Sequence, residues 1–156
     1  MRVKILWLGK TKNTSIRALT SDYLERIGHV VPCEIVEARD PAKARHIREG
    51  DRIAAEAAEL SRNIPGSSLV VALDESGKQL TSLEFARWFE NEQNRGTREV
   101  LFVIGGAEGL SPQITRGAGL VLSLGKMTWT HEMCRALLLE QVYRAFSILK
   151  NLPYHK

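Results

Sequence analysis

Long apolar runs are missing from this sequence, and so are closely spaced cysteines and low-complexity tracts. No stretch of ~18 apolar residues occurs, so no segment reads as a membrane-spanning helix. The opening MRVKILWLGK turns polar at once and lacks the small-residue cleavage site of a signal peptide. The two cysteines, Cys33 and Cys134, have no C-x-x-C partner and no histidine at ligand spacing, which argues against zinc. They read as buried free thiols of a reducing, cytoplasmic compartment. A phosphate loop is missing too, because no Gly-Lys-Ser/Thr follows Gly105-Gly106, and G-x-G-x-x-G spacing does not occur.

What is present is an ordinary globular balance. The 156 residues are 44% hydrophobic and 26% charged. That suits one domain, 1–156, which buries roughly 68–70% of its unfolded surface without a metal or disulfide staple. The net charge of +4 permits an anionic partner without identifying one.

Periodicity predicts alternating strands and helices. Val3–Leu8 reads as a strand. Ile16, Leu19, Tyr23, Leu24 and Ile27 recur at helical spacing, with Gly28 as the expected stop. Val31, Cys33 and Ile35 alternate as a second strand. Asp40-Pro41 is expected to open a long charged helix that ends before Asn63. Leu69–Leu73 is continuously apolar and therefore expected to be central. Thr81 and Glu84 form a capping box, with Leu83, Ala86 and Phe89 or Trp88 expected to face inward. Val100–Ile104 and Leu120–Leu122 read as further strands. Between them Ser111-Pro112 opens a short helix. A final helix runs from about Thr130 to Lys150, stopped by Asn151 and Pro153. It is apolar on several sides, so a second subunit is expected to cover what its own sheet does not. The fold class is α/β, a mostly parallel sheet flanked by helices.

Ligands of such sheets bind beyond the carboxyl ends of the strands. Three glycine-bearing segments lie there: 73–78, 104–110 and 124–129. Each has two readings. Gly105-Gly106 makes either a tight turn or a close approach to a ligand. Asp74, Glu75 and Glu108 are either solvated loop charges or site groups, and Trp129 either packs or lines a site. His131 caps a helix or faces the site. His29 and His46 lie in charged, surface-like contexts and are expected to have no role. His155, beside Tyr154, is either a frayed tail or reaches an active site in cis or across a dimer. Arg135 and Arg144 are either snorkelling surface arginines or phosphate ligands in a groove.

Four motifs taken together are more specific: Leu73-Asp-x-x-Gly77-Lys78; Phe102-Val-Ile-Gly-Gly-x-Glu-Gly-Leu110; Leu122-Ser-Leu through Met127, Thr128 and His131; and Glu140-Gln-x-Tyr143-Arg144-Ala145 followed by Asn151-Leu-Pro-Tyr-His-Lys156. In this order, over the whole chain, they resemble the large-subunit rRNA pseudouridine N3-methyltransferases, the smallest members of the SPOUT class. Thr130 and Ala107 stand where relatives often carry proline, which bears on loop stiffness.

The resemblance implies a C-terminal trefoil knot, a homodimer and S-adenosylmethionine as methyl donor. It implies N3 methylation of a pseudouridine at position 1915 in helix 69 of 23S rRNA. The substrate would be the assembled 70S ribosome, with neither DNA nor a membrane as partner. It places cofactor contacts on Leu73, Gly105, Leu124, Gly125, Lys126, Met127, Thr128 and Trp129. His155, Tyr154 and Arg144 become the catalytic candidates, with His155 as the base for the N3 proton and Tyr154 orienting or stacking. The rivals are a small nucleotide hydrolase or phosphotransferase, a non-catalytic ribosome-bound factor and a ribose 2′-O-methyltransferase.

Overall fold

The computed structural model describes residues 1–41 and 48–155, Glu49 and His155 by their backbone alone. The elements alternate: β1 (Arg2–Leu8), α1 (Thr14–Gly28), β2 (Cys33–Ala38), α2 (Arg52–Arg62), β3 (Leu69–Gln79), α3 (Ser82–Asn94), β4 (Glu99–Ile104), α4 (Pro112–Gly117), β5 (Leu120–Ser123) and α5 (His131–Leu149). The five strands form one parallel sheet in the order β2-β1-β4-β3-β5.

A parallel sheet is covered on both faces, so strand residues of either parity are apolar. Val3, Ile5, Trp7, Val100, Phe102 and Ile104 point to the face covered by α1, α3 and α5. Leu6, Leu8, Ala72, Leu101 and Val103 point to the other, under α2 and α4. β4, buried at all six positions, is the central strand. β3, expected there from its apolar run, lies one place over, between β4 and β5.

Local signals explain most boundaries. Asn13, Thr81, Ser111 and Thr130 cap α1, α3, α4 and α5 through their side chains, and Thr81 with Glu84 completes the capping box. Other expectations need correction. Gly28 is the last helical residue of α1, with His29 as the cap in ordinary right-handed backbone. In α3 the buried stripe is Phe85, Ala86, Phe89 and Glu92. Leu83, two positions before that stripe begins, is 55% exposed. The helix expected from Asp40-Pro41 is described only from Arg52, after a 3-10 turn at Glu49–Asp51. Its expected first turns, and His46, lie outside the described residues.

β3 runs past the sheet edge and returns to it. Leu73 and Lys78 both align with Leu122 of β5, so residues 74–77 form an excursion between two stretches of one strand. Gly77 is what lets the second stretch close. A Cβ on it would lie 2.7 Å from the carbonyl carbons of Val121 and Leu122. Backbone thus meets backbone, and no neighbouring side chain can move aside. Replacing Gly77 with Ala is expected to cost about 1–3 kcal/mol by overpacking. Urea unfolding should show a lower midpoint at unchanged slope.

Candidate active site

A cavity of about 700 Å³ opens beyond the carboxyl ends of β3, β4 and β5. All three glycine-bearing segments line it. Of the eight cofactor candidates, Leu73, Gly105, Leu124, Gly125, Met127, Thr128 and Trp129 are in its wall, and Lys126 is not. The volume lies within the ~300–1,000 Å³ typical of small-molecule sites.

The loops are held by short hydrogen bonds among their own residues. In the excursion after Leu73, Asp74 accepts hydrogen bonds from the Ser76 amide (2.9 Å) and hydroxyl (2.5 Å). Glu75 accepts one from the Thr128 hydroxyl at 3.3 Å, tying the first loop to the third. In the second loop the Gly109 amide donates to the Gly106 carbonyl at 3.2 Å. A Cβ on Gly105 would lie 2.5 Å from the Gly109 carbonyl oxygen. Gly105 is therefore required by the loop itself, before any ligand is considered. In the third loop Gly125 has φ +144°, a conformation side chains rarely adopt, and its amide meets the Ser123 hydroxyl at 3.3 Å. Met127 and Trp129 stand at the mouth, 75% and 41% exposed.

The electrostatics are one-sided. Asp74, Glu75 and Glu108 line the cavity, and no Lys or Arg does among the described residues. His131, also in the wall, has its pKa lowered by burial and by neighbouring Arg135. Cys134 lines the wall as well, and burial raises its pKa. Burial pushes that of half-buried Cys33 up to about 12, which keeps its thiol protonated.

Arg135 is neither a surface arginine nor a phosphate ligand. It is 1% exposed and donates to the Leu8 carbonyl and the Thr11 hydroxyl, both at 2.8 Å, with its guanidinium 4.8 Å from the Trp7 ring centroid. Sequence reasoning missed this role, and no local signal carries it, because the partners are more than a hundred residues away.

Arg144 and Tyr154 gather elsewhere. Arg144 is bound to Glu140 through Nε (2.9 Å) and a terminal nitrogen (2.5 Å), and it lies 4.8 Å from the Tyr154 ring centroid. The Tyr154 hydroxyl pairs with that of Tyr23 at 2.8 Å and donates to Glu140 at 3.1 Å. Burial first, then these partners, raises the Tyr154 pKa far above its ordinary value. Arg144 lies thirteen residues beyond His131 on the same helix, about 20 Å along its axis. Within one chain these two catalytic candidates therefore stand well away from the cavity. His155 ends the 3-10 turn Pro153–His155 that follows α5.

Similarity to known proteins covers the whole chain. A family model described as "Predicted SPOUT methyltransferase" matches residues 1–155. A protein of Geotalea daltonii named ribosomal RNA large subunit methyltransferase H is 41% identical, over 99% of each chain. One of the same name from Trichlorobacter lovleyi is 42% identical, also over 99% of each. A solved structure of a probable methyltransferase from Bordetella pertussis Tohama I superposes with a TM-score of 0.56. It is 12% identical and covers 93% of this chain and 96% of that one.

The lowered pKa of His131 has a testable sign. The unfolded chain takes up this proton first, so neutral His131 contributes stability that is present above its unfolded value, about 6.5. That contribution is lost as pH falls through the lower folded value. Glu84, Glu99 and Glu132, whose pKa values are also lowered, act in a more acid window, below the ordinary carboxylate value. Urea midpoints should fall between pH 7 and pH 5, and His131→Gln should remove part of that fall. An NMR titration should place the His131 midpoint below 6.5.

Proposed function

The chain belongs to the SPOUT methyltransferase family, and from that premise we propose that it is an S-adenosylmethionine-dependent 23S rRNA methyltransferase acting on N3 of a pseudouridine. The observation that carries the reading is the cavity, where three glycine-bearing strand ends meet in a wall that, among the described residues, has carboxylates and no Lys or Arg. Bound there, the cofactor would supply an electrophilic methyl group on a cationic sulfonium. Asp74, Glu75 and Glu108 suit that charge and would repel the phosphates of a nucleotide hydrolase's substrate. A His131 kept neutral adds no opposing charge. Leu73, Leu122 and Leu124 offer apolar walls to an adenine ring, and the glycine loops bring backbone donors and acceptors close. Met127 and Trp129, exposed at the mouth, give a flipped base a surface to stack on. The target is the pseudouridine at position 1915, in helix 69 of the assembled 70S ribosome, and the setting is the bacterial cytoplasm. With this reading goes the C-terminal trefoil knot of the family, within one domain.

Transfer needs a pseudouridine N3 that has lost its proton and points at the methyl carbon. Tyr154, with its pKa raised, stays protonated and serves as a donor and platform rather than as the base. His155 takes the proton, since an imidazole titrates near neutrality. Arg144, fixed by Glu140 and packed on Tyr154, holds the tail's approach. Arg144 stands ten residues beyond Cys134 at the cavity's edge, about 15 Å along the helix axis, and Tyr154 packs beside Arg144. The site is therefore composite, with the tail of one subunit completing the cavity of another in a two-fold homodimer.

Three outcomes are expected. Methyl transfer should occur on 70S ribosomes and be poor on protein-free 23S rRNA at matched salt, because a chain of net charge +4 needs the ribosome's shape for its remaining contacts. Nucleoside analysis should return N3-methylpseudouridine, and a ribose 2′-O-methyl product would refute the chemistry. A Gly105→Val chain and a chain truncated before Tyr154 should each be inactive alone. Co-expressed, they should recover roughly a quarter of parental activity, because mixed dimers keep one intact composite site. No recovery would place the tail and cavity of one chain together.

A further inference from the structure

α2 turns one stripe toward the sheet: Glu56, Ala57 and Leu60. Alanine and leucine belong on such a stripe, and a carboxylate does not. Glu56 is 8% exposed, and its Oε2 has no hydrogen-bond partner among the described residues. Burial and the nearby Asp40 raise its pKa, with Glu108 adding to the rise, while the Gly106 amide and Arg52 oppose it. An apolar side chain of the same length would avoid this desolvation, so stability alone does not account for a glutamate here.

Its contact does. The Glu56 carboxylate lies flat on Gly106, where a Cβ would stand 2.6 and 2.7 Å from its two oxygens and 2.9 Å from its Cδ. Gly106 is also the pivot of the second cavity loop, paired with Gly109 through its carbonyl. Behind that loop lies a smaller cavity of about 140 Å³, which Glu56 lines. It shares Gly106, Ala107, Glu108 and His131 with the large cavity. The loop is thus a thin wall between two spaces, with no side chain at Gly105 or Gly106 to stiffen it.

We propose that Glu56 is a positioning residue for the methyl-donor site: its carboxylate backs the Gly105–Leu110 loop through Gly106 and holds the wall in its binding shape. This rests on the reading that the large cavity takes S-adenosylmethionine. Preorganising the wall removes an ordering cost from binding. Glu56 touches no reacting atom, so its replacement alters cofactor affinity ahead of the chemical step.

The test measures the S-adenosylmethionine Kd by calorimetry and the urea midpoint for each of five proteins: parent, Glu56→Gln, Glu56→Met, Gly106→Ala and the double variant Gly106→Ala/Glu56→Met. Glu56→Gln keeps shape and acceptor and should bind within about threefold of the parent. Glu56→Met should unfold at the parental midpoint or above it and yet bind about tenfold more weakly. A merely structural residue would not give that split. Gly106→Ala expels the carboxylate and should also weaken binding about tenfold, and adding Glu56→Met should cost little more, because both changes break one contact. Parental affinity in Glu56→Met, or additive losses in the double variant, overturns the proposal. If Glu56→Met does not fold, Gly106→Ala decides alone, and unchanged affinity there overturns it. A parent that binds no S-adenosylmethionine removes the cofactor reading and this inference with it, an outcome distinct from tight binding by every variant.

Discussion

The first turn of α5 is pinned to the end of β1, and the geometry of the cavity depends on that attachment. Arg135 reaches back to the Leu8 carbonyl and the Thr11 hydroxyl. One turn earlier, Glu132 accepts the amides of Lys12 (2.7 Å) and Asn13 (3.0 Å), where α1 begins. A buried guanidinium near a helix N-terminus is unfavourable by itself, since desolvation and the helix dipole both oppose it. It is tolerated because a strand-end carbonyl, a hydroxyl and the Trp7 ring replace part of its hydration. With α5 fixed there, His131 and Cys134 become cavity wall. The third loop must then span the gap from Ser123 to Thr130 as an arch over the carboxyl ends of the strands.

The sequence made the three loops legible because their signal is local. Glycines that follow apolar runs mark strand ends, and strand ends of a parallel sheet mark a site. The steric reasons for two of those glycines were not legible. Gly77 is required by the backbone of β5, some 45 residues on, and Gly106 by a glutamate 50 residues before it. The same distance in sequence hid Arg135, whose partners sit at the far end of the chain. Periodicity shows that a position is buried and not what waits for it, so charged residues on buried stripes, Arg135 and Glu56 alike, gain their partners only when the fold places them.

The apolar breadth of α5 has a source within the chain. Its apolar residues do cover more than one side, but the other helices of the same face absorb much of that surface. α1 and α3 flank it over the sheet, and Leu138, Leu139, Val142, Ala145 and Phe146 are buried among them. Apolar breadth is thus weak support for a second subunit. Better support comes from what stays half-buried along the outer stripe, Met133 and Leu137, and from the distance between the tail and the cavity.

That distance also orders the chemistry. A cavity wall that carries carboxylates and a neutral imidazole favours a cationic donor, but it offers little to an anionic RNA backbone. Arg144 and Tyr154, the cation and the aromatic ring proposed to meet RNA, are held by a separate cluster around Glu140 and Tyr23. Keeping the two sets at opposite ends of one rigid helix prevents the arginine from neutralising the wall. In the homodimer proposed above, a two-fold axis would bring the ends together, so that each subunit would give its donor site to one reaction and its tail to the other. In such a design an isolated chain would retain a formed donor cavity and still lack the reacting partner groups, which makes association a condition of chemistry rather than of folding.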